Sequence, residues 1–272
     1  MLFRSGAVSP MSHYTMTWMR DCYAPVKTFL LFGYPEEARG IMDYLYRAAS
    51  TLGGIGNALD TNVAIADPLP EVDWSANLPF AGRLKGEGPS HVPLMHTEYW
   101  RYTGETEAIA ARWDYLMHTL QGQGITTADD GKAGLMWFSG DETFRPPLSA
   151  NLGMPGGANF SFQENCYSAN SAFLFVEAGE RLARFAEARG GLDAGDIAWL
   201  QDTAAMVREK TEQHYWLEDE GRYSPFLYMD TLEPDRNAAE DVNTQPIWLE
   251  YLDPDSERAR QNMLSTIEAI GR

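Results

Sequence analysis

Trp18, Arg20 and Asp21 stand within four positions of one another, just before an apolar run at residues 26–32. An adjacent guanidinium and carboxylate can bind neighbouring hydroxyl groups, and an indole ring offers a flat apolar face. These are the groups that a sugar ring requires, although a surface ion pair beside a core tryptophan gives the same pattern. We predict that all three residues contact a carbohydrate.

Two adjacent carboxylates, Asp141 and Glu142, lie in a glycine- and aromatic-rich segment that also contains Trp137 and Phe138. Apolar neighbours and a nearby like charge both raise the pKa of a carboxyl group. A carboxyl that stays protonated near neutral pH can act as a general acid. We predict a catalytic role for Asp141 or Glu142 and a substrate contact for Trp137 and Phe138, with a solvated turn as the alternative.

His91 and His96 flank a predicted helix start, and their spacing of five differs from the i, i+4 spacing of a helical metal pair. We predict that His91 contacts substrate and that His96 is a packed histidine. Glu240 and Asn243 begin a later helix and are further predicted substrate contacts. If the numbering of the helices within the fold is wrong by one hairpin, Glu240 or Asp241 becomes a candidate catalytic base.

The chain is strongly acidic, with 39 Asp and Glu against 21 Lys and Arg and a formal charge of −18. This charge argues against nucleic acids and anionic membranes as partners and leaves neutral substrates open. No apolar stretch approaches the roughly 20 residues of a membrane span. The two cysteines are too few for a disulfide framework or a zinc site, so we expect no metal or cofactor. Because no signal-peptide region is visible at the N-terminus, a cytoplasmic location is favoured, although a missing N-terminus would hide a signal.

Helical periodicity comes in pairs that are separated by tight glycine turns, for example at Gly33 and Gly104. The predicted hairpins are 26–32 with 35–52, 92–102 with 105–120, 163–188 with 193–214, and 242–251 with 256–270. Repeated helical hairpins predict an all-α solenoid or a closed helical toroid.

Three long connections, 53–91, 122–162 and 218–241, separate these hairpins. Loops of such length in a compact domain are usually functional. All three belong to the same alternate set of connections, so they should cluster at one end of the helices, together with Arg20 and Asp21. Aromatic residues in these loops predict a stacking site for sugar rings, although some will pack the loops down.

The arrangement resembles the six-hairpin, (α/α)6 toroid glycoside hydrolases, which include glucoamylase-like, trehalase-like and rhamnosidase-like enzymes. The segments that carry the resemblance are 18–21, 33–38, 99–104, 137–144, 167–170 and 216–223. In glucoamylase-like enzymes an Arg-Asp pair at the start of the second helix binds the sugar. The general acid lies between the fifth and sixth helices, where this register places Asp141 and Glu142. Glucoamylase-like members use a Glu and trehalase-like members an Asp, so either residue fits, and we favour Glu142.

Such a toroid has twelve helices, and the periodicity of this chain gives about eight. By the family's register these run from the second helix to the ninth, whereas the catalytic base follows the eleventh. We therefore expect residues 1–272 to form a single partial toroid domain that is truncated at both ends and lacks the base.

The resemblance implies an inverting glycoside hydrolase that acts on a neutral sugar or oligosaccharide, with glucose-like and rhamnose-like substrates both possible. The acid would protonate the glycosidic oxygen while a base activates water, with the two carboxyls roughly 6.5–9.5 Å apart. One alternative is a sugar epimerase or polysaccharide lyase that uses His91 or His96. A second alternative is a non-catalytic, truncated toroid that binds carbohydrate.

Overall fold

The computed structural model describes residues 6–8, 16–54, 58–76, 88–123, 125–126, 131–137, 166–236 and 240–271. Helices dominate these residues, and the strands form only two-stranded pairings. The helices are α1 (Met19–Leu31), α2 (Pro35–Leu52), α3 (Gly88–Thr103), α4 (Glu107–Ala110), α5 (Trp113–Gln121), α6 (Ala169–Arg189), α7 (Ala194–His214), α8 (Glu240–Trp248) and α9 (Glu257–Ile270). The strands are β1 (Met16–Trp18), β2 (Ala58–Asp60), β3 (Cys166–Ser168), β4 (Trp216–Leu217), β5 (Arg222–Tyr223) and β6 (Phe226–Tyr228). This is the all-α class predicted from the hairpin pattern.

The residues group into two compact units, which are described separately. The first comprises residues 1–123 and 178–200, and the second comprises 124–177 and 201–272. The prediction of a single partial domain over residues 1–272 stays a prediction.

Helix α2 shows how local signals set its bounds. Pro35 occupies the first turn, where its missing N–H costs no hydrogen bond. Gly33 before the helix and Gly53 after it have φ angles of +78° and +69°, which glycine adopts without a Cβ clash. The predicted helix over 35–52 is confirmed.

Helix α1 begins earlier than the apolar run indicated. It starts at Met19 and continues through Pro25, so Arg20 and Asp21 lie in its first turn and not before it. The prediction that this pair precedes the helix was wrong because Met19, Cys22 and Val26 form one fully buried stripe at helical spacing. Burial of that stripe outweighs the hydrogen bond that the proline removes.

The predicted helix over 105–120 is also corrected. It is interrupted at residues 111–112 into α4 and α5, and the described residues therefore hold nine helices where about eight were predicted.

In the first unit, α1 packs against α2 and α3, and α3 also packs against α5. The 53–91 connection starts with β2, which pairs antiparallel with β1 directly before α1. It ends where α3 begins, so its two ends meet the starts of α1 and α3.

In the second unit, two long connections converge on the start of α6. Strand β6, from the 218–241 connection, pairs with β3, and Trp137, from the 122–162 connection, bridges to Tyr167 in β3. Helix α8 packs against α9. Within each unit, the described parts of the long connections therefore contact the N-terminal ends of α1, α3 or α6. The prediction that all three connections cluster at one end of the helices stays a prediction.

Candidate functional site

Helices α1 and α3 run in the same direction, which brings their N-terminal ends together. The ring of Tyr23, in the second turn of α1, lies 5.8 Å from that of His91 near the start of α3. Further along both helices, Lys27 Nζ lies 3.9 Å from Glu98 Oε1. We call this shared N-terminal end, formed by residues 18–21 and 88–91, the rim.

Trp18, Arg20 and Asp21 occupy the rim at the start of α1. Trp18 has an extended backbone and is partly exposed, while its side chain makes no capping bond to the helix. Arg20 Nε lies 3.4 Å from Asp21 Oδ1, and the two side chains remain 21% and 24% exposed. Asp21 lies in the first helical turn, where the positive end of the helix dipole favours a carboxylate. The two charged groups thus lie together in the first turn of α1, and part of each side chain stays open to solvent.

His91 is buried in the first turn of α3, against the Tyr23 ring. Burial and the nearby Glu98 carboxylate raise the pKa of Tyr23, so its hydroxyl stays protonated. That hydroxyl donates to Glu98 Oε1 at 3.2 Å. His91, a predicted substrate contact, therefore packs against Tyr23, which belongs to a buried hydrogen-bonded network.

The centre of this network is Glu98, whose side chain is only 1% exposed. Its Oε1 is 2.5 Å from Arg181 Nη1 of α6, 3.5 Å from Arg101 Nη1 and 3.9 Å from Lys27 Nζ. A lone buried carboxylate is costly, and these cations compensate its charge. We call Glu98, Tyr23, Lys27, Arg101 and Arg181 the Glu98 cluster. Sequence reasoning missed it, and the only local signal was one acidic residue inside an otherwise neutral stretch of α3.

His96 has the surroundings of a packed histidine. Its Nδ1 lies 2.8 Å from the Val92 carbonyl oxygen, which only accepts, so Nδ1 carries the proton and donates. Burial and, secondarily, the Arg112 charge lower the pKa of His96 to about 3. The ring is therefore neutral at physiological pH.

In the second unit, Trp137 lies beside the start of α6. Its strand-like bridge to Tyr167 is extended by the Ser168 N–H, which donates to the Met136 carbonyl oxygen at 2.9 Å. The Ser168 hydroxyl in turn accepts from the Ser171 N–H in the first turn of α6. The Trp137 Nε1 is buried and has no hydrogen-bond partner among the described residues. A substrate contact for Trp137 stays a prediction.

Asn243 is fully buried in α8. Its Nδ2 donates to the Tyr223 carbonyl oxygen at 2.9 Å and to Asn262 Oδ1 at 3.2 Å. The Asn262 Nδ2 donates back to the Asn243 carbonyl oxygen at 2.7 Å. These bonds join α8 to β5 and α9, and the predicted substrate contact of Asn243 remains untested by them.

The remaining predicted site residues lie outside the described part of the chain. Phe138, Asp141 and Glu142 fall in the segment 138–165, and Glu240 begins α8 with a side chain that is likewise not described. Their roles stay predictions.

Three of the loop aromatics that lie in the described ranges are buried. Trp74 is buried with its ring 5.2 Å from Tyr115 of α5, and Phe226 and Tyr223 are buried in the second unit. These three therefore anchor loops, which the sequence analysis expected for part of the set.

Within the described residues, no group of three or more His, Cys, Asp or Glu side chains is placed to hold a metal ion. None of the described helices combines the length and apolarity that a bilayer crossing requires. Both cysteines are buried free thiols, and burial raises the pKa of Cys166 to about 12.

Comparison with protein-family models gives no match, and comparison with curated proteins gives none either. Solved structures do match. A GH78 family rhamnosidase of Bacillus sp. GL1 has a TM-score of 0.57 at 15% identity, over 92% of this chain and 22% of its own. A rhamnosidase from Klebsiella oxytoca, with rhamnose bound, has a TM-score of 0.57 at 10% identity, over 94% of this chain and 42% of its own.

A sugar epimerase from a ruminal bacterium has a TM-score of 0.53 at 14% identity, over 95% of this chain and 60% of its own. The chain thus spans less than two thirds of the length of each of these proteins. At such low identity the likeness concerns the fold, and it confirms the predicted all-α, toroid-type class.

Proposed function

We propose that this chain is a carbohydrate-active enzyme domain and that the rim binds a sugar. The observation that carries the proposal is the Arg20–Asp21 pair. It is fixed in the first turn of α1, is partly open to solvent and stands next to Trp18. A guanidinium and a carboxylate at this spacing bind vicinal hydroxyls, and the indole packs against a sugar face. The rhamnosidase and epimerase structures of the same fold support a sugar as the ligand.

The favoured chemistry is inverting glycoside hydrolysis of a neutral glycoside. Arg20 and Asp21 hold the hydroxyls of the sugar whose bond is cleaved, with Trp18 as an apolar wall. Glu142, with Asp141 as its neighbour or substitute, protonates the glycosidic oxygen. The base that activates water is unassigned; robust hydrolysis by residues 1–272 would place it among them, with Glu240 and Asp241 the first residues to examine.

The experiment has a binding arm and a turnover arm. Binding of L-rhamnose and D-glucose is measured by titration calorimetry, and hydrolysis is followed with 4-nitrophenyl and unactivated glycosides of both sugars. Where turnover is measurable, Glu142→Gln should leave binding intact and cut turnover of unactivated glycosides by about 10². Activated glycosides should be spared because their leaving group needs little protonation.

A matched Asp141→Asn variant decides which carboxyl is the acid. Loss of turnover in Asp141→Asn alone moves the role to Asp141. If neither variant affects a measurable turnover, the glycosidase proposal fails.

A second candidate is a sugar epimerase that uses His91. Its support is the fold likeness to the ruminal epimerase and the position of His91 at the start of α3. His96 is a weaker candidate base because its pKa is lowered to about 3. An epimerase that removes a carbon-bound proton would incorporate deuterium into a reducing sugar in D₂O, and His91→Gln would abolish it. A glycosidase would show no such incorporation.

A further inference from the structure

The Glu98 cluster is more elaborate than neutralisation of one carboxylate demands. Tyr23, Lys27, Arg101 and Arg181 all approach the same oxygen, Oε1. Buried ion pairs are often no more stabilising than apolar residues of the same shape. Stabilisation alone therefore does not explain why four side chains converge on Glu98. The cluster can also hold a neighbouring side chain in position.

Tyr23, the uncharged member of the Glu98 cluster, also contacts the rim through His91. Arg20, Tyr23 and Lys27 follow one another at i, i+3 and i+7, which places them on one stripe of α1. His91 and Glu98 are likewise seven residues apart on α3. Lys27 and Tyr23 meet Glu98 at depth, whereas Tyr23 also meets His91 at the rim.

Tyr23 connects the two levels geometrically. Its hydroxyl donates to Glu98 Oε1 at 3.2 Å, and Arg181 Nη1 donates to the same carboxylate oxygen at 2.5 Å. With both ends of the phenol confined, the ring is fixed at 54° to the imidazole of His91. Both rings are buried and in contact, so a shift of the Tyr23 ring changes the packing around the His91 ring.

We propose that Glu98 is a positioning residue for the sugar-binding rim, which acts through Tyr23 to set the orientation of His91. This inference rests on the proposed function only in taking the rim as the sugar site. The coupling between Glu98 and the His91 ring stands on the geometry alone.

The test uses the full chain with two variants that preserve shape. Tyr23→Phe keeps the ring beside His91 and removes the bond to Glu98, whereas Glu98→Gln keeps the volume and removes the charge. Asp43→Asn is the control, because it breaks the 2.5 Å pair between Asp43 and Arg112 on α2 and before α5. The readouts are the His91 imidazole ¹H–¹³C signal, assigned with His91→Gln, and the affinity for L-rhamnose and D-glucose.

We expect Tyr23→Phe and Glu98→Gln to shift the His91 signal and to weaken sugar binding by about fivefold to tenfold. Their effects should not add in the double variant, because both act through one contact. Asp43→Asn should leave both readouts unchanged. If Tyr23→Phe leaves the His91 signal as it is in the wild type, the proposal is overturned, even if Glu98→Gln does not fold. If the wild type binds neither sugar, the proposed function fails, whereas the His91 signal still decides the coupling.

Discussion

Glu98 in the first unit and Glu212 in the second unit each bind tyrosine and arginine side chains, but the two carboxylates differ in their exposure to solvent. Glu98 is 1% exposed, and all its partners approach one oxygen. Glu212 is 34% exposed and divides its partners. Its Oε1 accepts from Tyr223 and Tyr251 at 2.7 Å each, and its Oε2 lies 2.6 Å from Arg258.

The difference separates two uses of the same chemistry. Around Glu212, the bonds join α7 to β5, α9 and the connection between α8 and α9, in surroundings where water screens the charges. Glu98 is shielded from bulk solvent by burial, so its partners must be placed accurately or its charge is uncompensated. The more demanding cluster is the one that lies beneath the proposed sugar site.

The largest contrast is expected when each carboxylate is neutralised. Glu98→Gln should lower the free energy of unfolding by about 3 kcal/mol, because Arg181 is only 2% exposed and loses its closest anionic partner. Glu212→Gln should cost about 1 kcal/mol, because solvent replaces part of what is lost. Urea unfolding of the two variants measures both. Equal losses would remove the distinction between the clusters.

Local sequence patterns predicted the helices of the fold better than they predicted the Glu98 and Glu212 clusters. Helix α2 could be predicted because its proline start and glycine end are local signals. Helix α1 was placed too late because Pro25 opposes a helix locally, while the stripe from Met19 to Val26 is buried only in the folded chain. Glu98 could not be found at all, since its burial depends on Arg181, which lies 83 residues further along the chain.

An intermediate effect is expected from His96 and His214, two described histidines whose pKa is lowered by burial. The pKa of His96 in the folded chain, about 3, lies below the usual value of about 6.5. Between these two pH values, His96 is protonated in the unfolded chain and neutral in the folded chain. This stability is complete above about pH 6.5 and is lost as the pH falls towards 3. We expect His96 to account for about 2 kcal/mol of lost stability between pH 7 and pH 5.

His214, in the second unit, is only partly buried, and burial lowers its pKa as well. His96→Leu should therefore flatten the dependence of unfolding free energy on pH between 7 and 5 more than His214→Leu does. A larger change in His214→Leu would contradict the burial argument.

The smallest contrast concerns single hydroxyls. Tyr251→Phe removes one of two hydroxyls from Glu212 Oε1 and should cost about 1 kcal/mol in thermal or urea unfolding. Tyr23→Phe should cost a similar amount, since one hydrogen bond is lost in each case. The two should differ in function: only Tyr23→Phe should alter sugar binding. An equal loss of affinity in both variants would show a general loosening and not a directed contact.

The most direct test of the central claim is calorimetric titration of wild type and Asp21→Asn with L-rhamnose and D-glucose at low and high salt. Asp21→Asn keeps the size of the side chain and removes the carboxylate from the rim. We predict that the wild type binds at least one of the two sugars and that Asp21→Asn weakens that binding by about tenfold. The unfolding midpoint should fall only slightly, because the carboxylate leaves the first turn of α1. Wild-type binding that Asp21→Asn leaves intact, or no binding of either sugar, would contradict the assignment of the rim as the sugar site.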